Sequence, residues 1–153
     1  VTDSDPRSAA TVQPGFVTLE VEWLGAINSF DDGELVHLTL TVVDTTAFTN
    51  GIDPQTVTIT VLKPGVTPTS MVMVWSYAAW DGVTIQSPAV GTIGRTSQGV
   101  FEVWVDTTKA PGIWEARGNT AGAGQGSSDV VTWYVQTVPP GVASGVAYVK
   151  DQL

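Results

Sequence analysis

His37 is the only histidine of this chain, and there is no cysteine. Those two facts limit the chemistry within reach. Without thiols there is no disulfide, no thiolate zinc site and no cysteine nucleophile. A hydroxyl-nucleophile triad would have to be built on His37, and no G-x-S-x-G elbow accompanies it. Acid–base work by paired carboxylates would fall to Glu20, Glu22, Glu102 and Glu115, which stand in strand-like segments where solubilising residues also stand. The expectation is a chain that is not an enzyme, with His37 a solvated cross-strand residue.

Asp31, Asp32 and Glu34, with Asp44 and Asp53 as additions, are the acidic residues that could gather around calcium. They lack the D-x-D-x-D-G spacing, and acidic residues at turns commonly accept from local backbone donors. No metal site and no cofactor are expected. The glycine-rich run 118–126 follows a strand and lacks the Lys-Ser/Thr ending of a phosphate loop, and residues 118–128 read as a mobile hairpin loop.

Six tryptophans are many for 153 residues. Trp114 and Trp133 share parity with apolar neighbours and belong in the core. Trp75, Trp80 and Trp104 are the candidate interface residues. Trp104 stands on the opposite parity from Phe101, Val103 and Val105 and so points outward. An outward tryptophan can anchor a protein partner or stack on a sugar ring.

Composition narrows the partners. Charged residues make up 14% of the chain, against roughly a quarter in an average protein. The formal net charge is −9, and Arg7, Lys63, Arg95, Lys109, Arg117 and Lys150 are scattered. Displacing counterions from nucleic acid or from an anionic membrane needs clustered cations, so neither is an expected partner. The sequence shows no transmembrane run and no signal peptide, and it begins at Val1, as a trimmed product would.

The elements that must position these residues are strands. In 56–61, Val57, Ile59 and Val61 alternate with three threonines, one dry face against one wet face. The same period runs through 16–23, 34–44, 71–77, 99–106, 113–117 and 129–136, with a short further strand at 83–86. Turn signals at Asn50-Gly51, Asp53-Pro54, Pro64-Gly65 and Pro111-Gly112 separate them. About seven to eight strands at such spacing predict an all-β antiparallel sandwich. Residues 1–33 read as an N-terminal arm with one strand, 34–137 as the sandwich and 138–153 as a C-terminal tail.

Three stretches resemble a known group. A strand ending at Asp44 leads through Gly51-Ile52-Asp53-Pro54 into Val57-Thr58-Ile59-Thr60-Val61. Later come Gly99-Val100-Phe101-Glu102-Val103-Trp104-Val105-Asp106 and the corner Pro111-Gly112-Ile113-Trp114. In this order, over residues 34–137, they resemble small immunoglobulin-like virion proteins of tailed bacteriophages. The resemblance implies an immunoglobulin-like sandwich with extended termini and a structural, non-enzymatic place in the virion. Capsid decoration comes first, with a head–tail connector or tail component as the alternative. Partners would be other virion proteins and further copies of the chain itself, reached by the arm and tail adding to exposed sheet edges. The rival reading is a secreted carbohydrate-binding or adhesin module that uses outward tryptophans.

Overall fold

The computed structural model describes residues 14–22, 29–46, 48–77 and 84–137, and among these there is no α-helix. Ten strands form two sheets: β1 Gly15–Val21, β2 Ser29–Asp31, β3 Leu35–Asp44, β4 Thr56–Leu62, β5 Ser70–Ser76, β6 Gly94–Ser97, β7 Val100–Asp106, β8 Gly112–Ala121, β9 Gly126–Ser127 and β10 Val131–Gln136. The smaller sheet runs β1-β3-β7-β6 and the larger β2-β10-β8-β4-β5, with β9 paired beside β8. All pairings are antiparallel except β2 with β10.

Alternation decides which side chains meet between the sheets. Val36, Leu38, Leu40 and Val42 of β3 and Phe101, Val103 and Val105 of β7 are all fully buried. Val57, Ile59 and Val61 answer them from β4, and Trp114 and Trp133 from β8 and β10. Removing these faces from water is the main driving force for the fold, since no disulfide is present to supplement it.

The sandwich departs from the sequence expectation in four places, each with a physical reason. β1, grouped above with an arm, pairs with β3 along its whole length, from Gly15↔Asp44 to Val21↔Leu38. Its alternation is as regular as that of the inner strands, so it buries Val17, Leu19 and Val21. β2, β6 and β9 are too short to show any period. The 83–86 strand does not form over the described residues, and Gln86 instead donates its N–H to the Arg95 carbonyl (3.0 Å).

The largest difference concerns 118–128. β8 continues through the expected loop to Ala121, and β9 pairs back onto it, leaving only a short turn. A Cβ at Gly118 would run into the Leu40 side chain. The glycine is there because the facing leucine fills the space, which is a packing role rather than a loop signal. Ser128 closes the end, its hydroxyl accepting from the Gly118 N–H at 2.9 Å.

Candidate functional site

The two outer faces of the sandwich differ in chemistry. On the smaller sheet, His37 of β3 lies directly opposite Trp104 of β7. Their rings stack at 4.4 Å between centroids and 21° between planes. Carboxylates flank the imidazole on both sides: Nδ1 is 2.9 Å from Glu22 Oε2 and Nε2 is 2.7 Å from Glu102 Oε1. Glu102 also accepts from the Thr96 hydroxyl at 2.5 Å.

This cluster corrects the solvated reading of His37, whose side chain is only 13% exposed. Each ring nitrogen lies within hydrogen-bonding distance of a carboxylate oxygen. Both nitrogens are engaged, so the group clamps the end of β1, the middle of β3 and β7 together. Of the sequence-proposed pairs of glutamates, Glu22 and Glu102 do converge, with His37 between them.

The candidate tryptophans divide. Trp75 is a correction: it is 3% exposed, packs on Phe101 at 4.7 Å and donates its Nε1–H to Gln86 Oε1 at 2.6 Å. Its parity matches Met73, so it faces the core rather than a partner. Trp104 faces outward as expected, but one ring face is spent on His37. Trp80 lies outside the described residues.

The acidic candidates are dispersed over strand ends and turns, and each has a partner within the fold. Asp31 is buried and accepts from Gln136 Nε2 at 2.9 Å, while its N–H donates to Glu34 Oε1 at 2.6 Å. Asp32 Oδ1 accepts from the Lys109 N–H at 2.7 Å, across the turn before β8. Asp44 Oδ1 accepts from both the N–H and the hydroxyl of Thr46. Among the described residues no three His, Asp or Glu side chains converge to hold a metal ion. Asp53 is engaged most strongly. It takes a bidentate pair from Arg95 (Nε 3.0 Å, Nη2 2.9 Å) and the Gly99 N–H (2.9 Å).

Among the described residues, one carboxyl is held away from its ordinary value. The Thr108 hydroxyl, then the Thr108 N–H, hold Asp106 below its ordinary value of 3.8, with Lys63 adding to the same direction. A carboxyl lowered by folding contributes stability above its unfolded value and loses it as pH falls through the lowered one. Asp106→Asn is therefore expected to flatten the acid limb of stability below about pH 4, measured by urea midpoints at several pH values. An unchanged acid limb would remove Asp106 from the account.

The outer face of the larger sheet is mixed: Thr58 and Thr60 of β4 and Glu115, Arg117 and Asn119 of β8 run through its middle, with exposed apolar side chains at two separate places. Val72 and Val74 on β5 are 58% and 62% exposed, and Ile113 and Tyr134 are 62% and 47% exposed. Ile113 and Tyr134 are register partners across β8 and β10. Val72 and Val74 sit opposite Thr60 and Thr58 of β4. Sequence reading passed over these residues, although a signal was present. Residues 71–75 are apolar on both parities, which a strand with one wet face has no need to be. Thr60 and Arg117 follow Val72 in register across β4 and β8, so the two apolar pairs are separate, and each is a local exposed patch of the kind that can meet another macromolecule.

No family model matches the chain, and no curated protein matches it. Among solved structures, it is similar to a β-glucosidase from Listeria innocua in complex with gluconolactone, at 9% identity and a TM-score of 0.43. A second structure of that enzyme, with glucose, gives 13% identity and a TM-score of 0.37. In both the match covers 79% of this chain and 16% of the other, so the chain spans about a sixth of the enzyme's length. At these scores the likeness carries no argument about activity.

Proposed function

We propose that this chain is a non-enzymatic structural protein of a tailed-bacteriophage virion, acting through protein–protein contacts of its sandwich. The observation that carries the contact role is two pairs of exposed apolar side chains on the outer face of the larger sheet, Val72 with Val74 on β5 and Ile113 with Tyr134 across β8 and β10. The particle setting rests on the resemblance over residues 34–137. A low-charge, cysteine-free sandwich suits a site where many subunits pack closely. Capsid decoration is the first reading within this class and a connector or tail component the second. The carbohydrate-binding alternative draws less support, since Trp75 is buried and Trp104 has one face on His37.

The deciding experiment is to sediment lysate from the native source on a density gradient and quantify this chain against the major particle protein. Recovery in the particle band at high copy number supports decoration, and at low copy number a connector or tail place. Recovery only in the light soluble fractions overturns the virion reading. Within the particle, Tyr134→Asp is expected to lower incorporation about tenfold, because a charge placed beside Ile113 would have to be desolvated where that pair meets a partner. Unchanged incorporation would move the contact off the Ile113–Tyr134 face.

A further inference from the structure

Among the described residues, β5 is an edge strand that lacks the protection given to the other edges. Natural edges are blunted by charge, proline, bulges, shortness or a covering segment. β1 carries Glu20, β2 is three residues long and holds Asp31, and β6 is shielded by Gln86, whose N–H donates to the Arg95 carbonyl. β5 is seven residues of Ser-Met-Val-Met-Val-Trp-Ser, with no charge, no proline and no register shift against β4.

The hydrogen-bond parity shows which backbone groups face outward from the edge. Lys63 donates to the Thr69 carbonyl and Tyr77 to the Gln55 carbonyl. The odd-numbered residues of β5 therefore bond to β4. The N–H and C=O of Ser70, Val72, Val74 and Ser76 point to the open side. Among the described residues none pairs with those groups.

The sequence of this edge reads nearly the same in both directions about Met73. In an antiparallel pairing with a second copy, centred on Met73, Ser70 would oppose Ser76, Val72 would oppose Val74 and Met71 would oppose Trp75. This register also satisfies the parity. Ser70 with Ser76 and Val72 with Val74 are both even-numbered pairs, as hydrogen-bonded partners must be here. Met73 meets its own copy as a non-hydrogen-bonded pair on the two-fold axis. Shifting the centre to Val72 or Val74 keeps the parity but sets serine against valine.

Charge points to the same occupant. The chain carries a net charge of −9, whereas this strand brings no charge to the contact, so two copies meet here with no like charges opposed on the strand itself. We propose that β5 is a homodimerisation edge, on which a second copy of this chain pairs antiparallel about Met73 and joins the two larger sheets into one. About eight backbone hydrogen bonds and the Val72–Val74 cross-strand contacts would form it. The inference goes beyond the virion reading and stands or falls separately, since it is tested on the isolated chain.

The test uses the full-length protein in sedimentation equilibrium over a wide concentration range. A reversible dimer is expected. Val72→Lys, which puts a charge on the exposed face of the edge, is expected to weaken it about tenfold or more with the β-sheet circular dichroism unchanged. Because the chain has no cysteine, Met73→Cys introduces a single thiol, placed by the proposed register opposite its own copy. Under mild oxidation it is expected to form a covalent dimer at least about tenfold faster than Thr132→Cys, an exposed position away from this edge. A strictly monomeric mass at all concentrations, as coverage of the edge by the chain's own residues would give, overturns the proposal. So does a dimer indifferent to Val72→Lys, or equal cross-linking at positions 73 and 132.

Discussion

Replacing Asp53 with alanine is expected to destabilise the sandwich by about 3–5 kcal/mol, a large share of the 5–15 kcal/mol typical of a domain. The Asp53 and Arg95 side chains are only 14% and 8% exposed. The carboxylate receives two guanidinium hydrogen bonds and the Gly99 amide. Gly99 has a positive φ of 74°, and a Cβ there would meet the Val42 carbonyl and the Gly51–Ile52 backbone. The tight turn between β6 and β7 is thus pressed against the 51–54 turn, and Asp53 is the acceptor between them. Alanine removes the counter-charge from a guanidinium that has already left water, which costs more than the intact pair contributes. Asp53→Asn keeps an acceptor for Gly99 and loses the charge, so a smaller loss is expected. Replacing both members with apolar residues of similar volume should recover much of the loss. Urea midpoints at constant m-value test all three, and a loss under about 1 kcal/mol for Asp53→Ala would show the pair to be no better than a surface ion pair.

Trp114→Ala is expected to cost about 3–5 kcal/mol through the cavity it leaves. Trp114 is fully buried, is the direct register partner of Trp133, and stacks on it at 5.9 Å and 17°. The two indoles differ in one respect that separates packing from hydrogen bonding. Trp114 donates its Nε1–H to the Ala110 carbonyl at 2.8 Å, which ties the turn before β8 to the core. The Trp133 Nε1–H is buried with no partner among the described residues. Phenylalanine at either position removes similar area, but only at 114 does it break a hydrogen bond. Trp114→Phe should therefore cost about 1 kcal/mol more than Trp133→Phe. Equal costs would mean that the Ala110 contact contributes nothing. Loss of the tryptophan exciton signal in circular dichroism is expected in both, as a check that the stack has been removed.

The gain from alternation was substantial. Parity alone placed Trp114 and Trp133 inside, Trp104 outside and the apolar faces of β3, β4, β7 and β10 toward one another. It misplaced residues whose environment depends on a distant neighbour. His37 has outward parity, yet Glu22, Glu102 and Trp104 arrive from other strands to cover it. Asp53 was legible as a turn residue, but its partner Arg95 lies 42 positions along the chain. Gly118 looked like the start of a loop because the leucine that explains it is on β3.

What this sequence determined by itself is its all-β class, the inward and outward faces of its long strands and the chemistry closed to a chain with one histidine and no cysteine. Those properties are local: a two-residue period and a residue's type are written wherever they occur. The tertiary structure alone decided which strands are neighbours, that β5 is the outermost strand of its sheet among the described residues, and that Trp75 turns inward against Phe101. Strands with the same pattern can pair in many orders, and the order realised depends on packing between segments far apart in the chain. An edge is defined by the neighbour a strand lacks, and no residue within β5 records that.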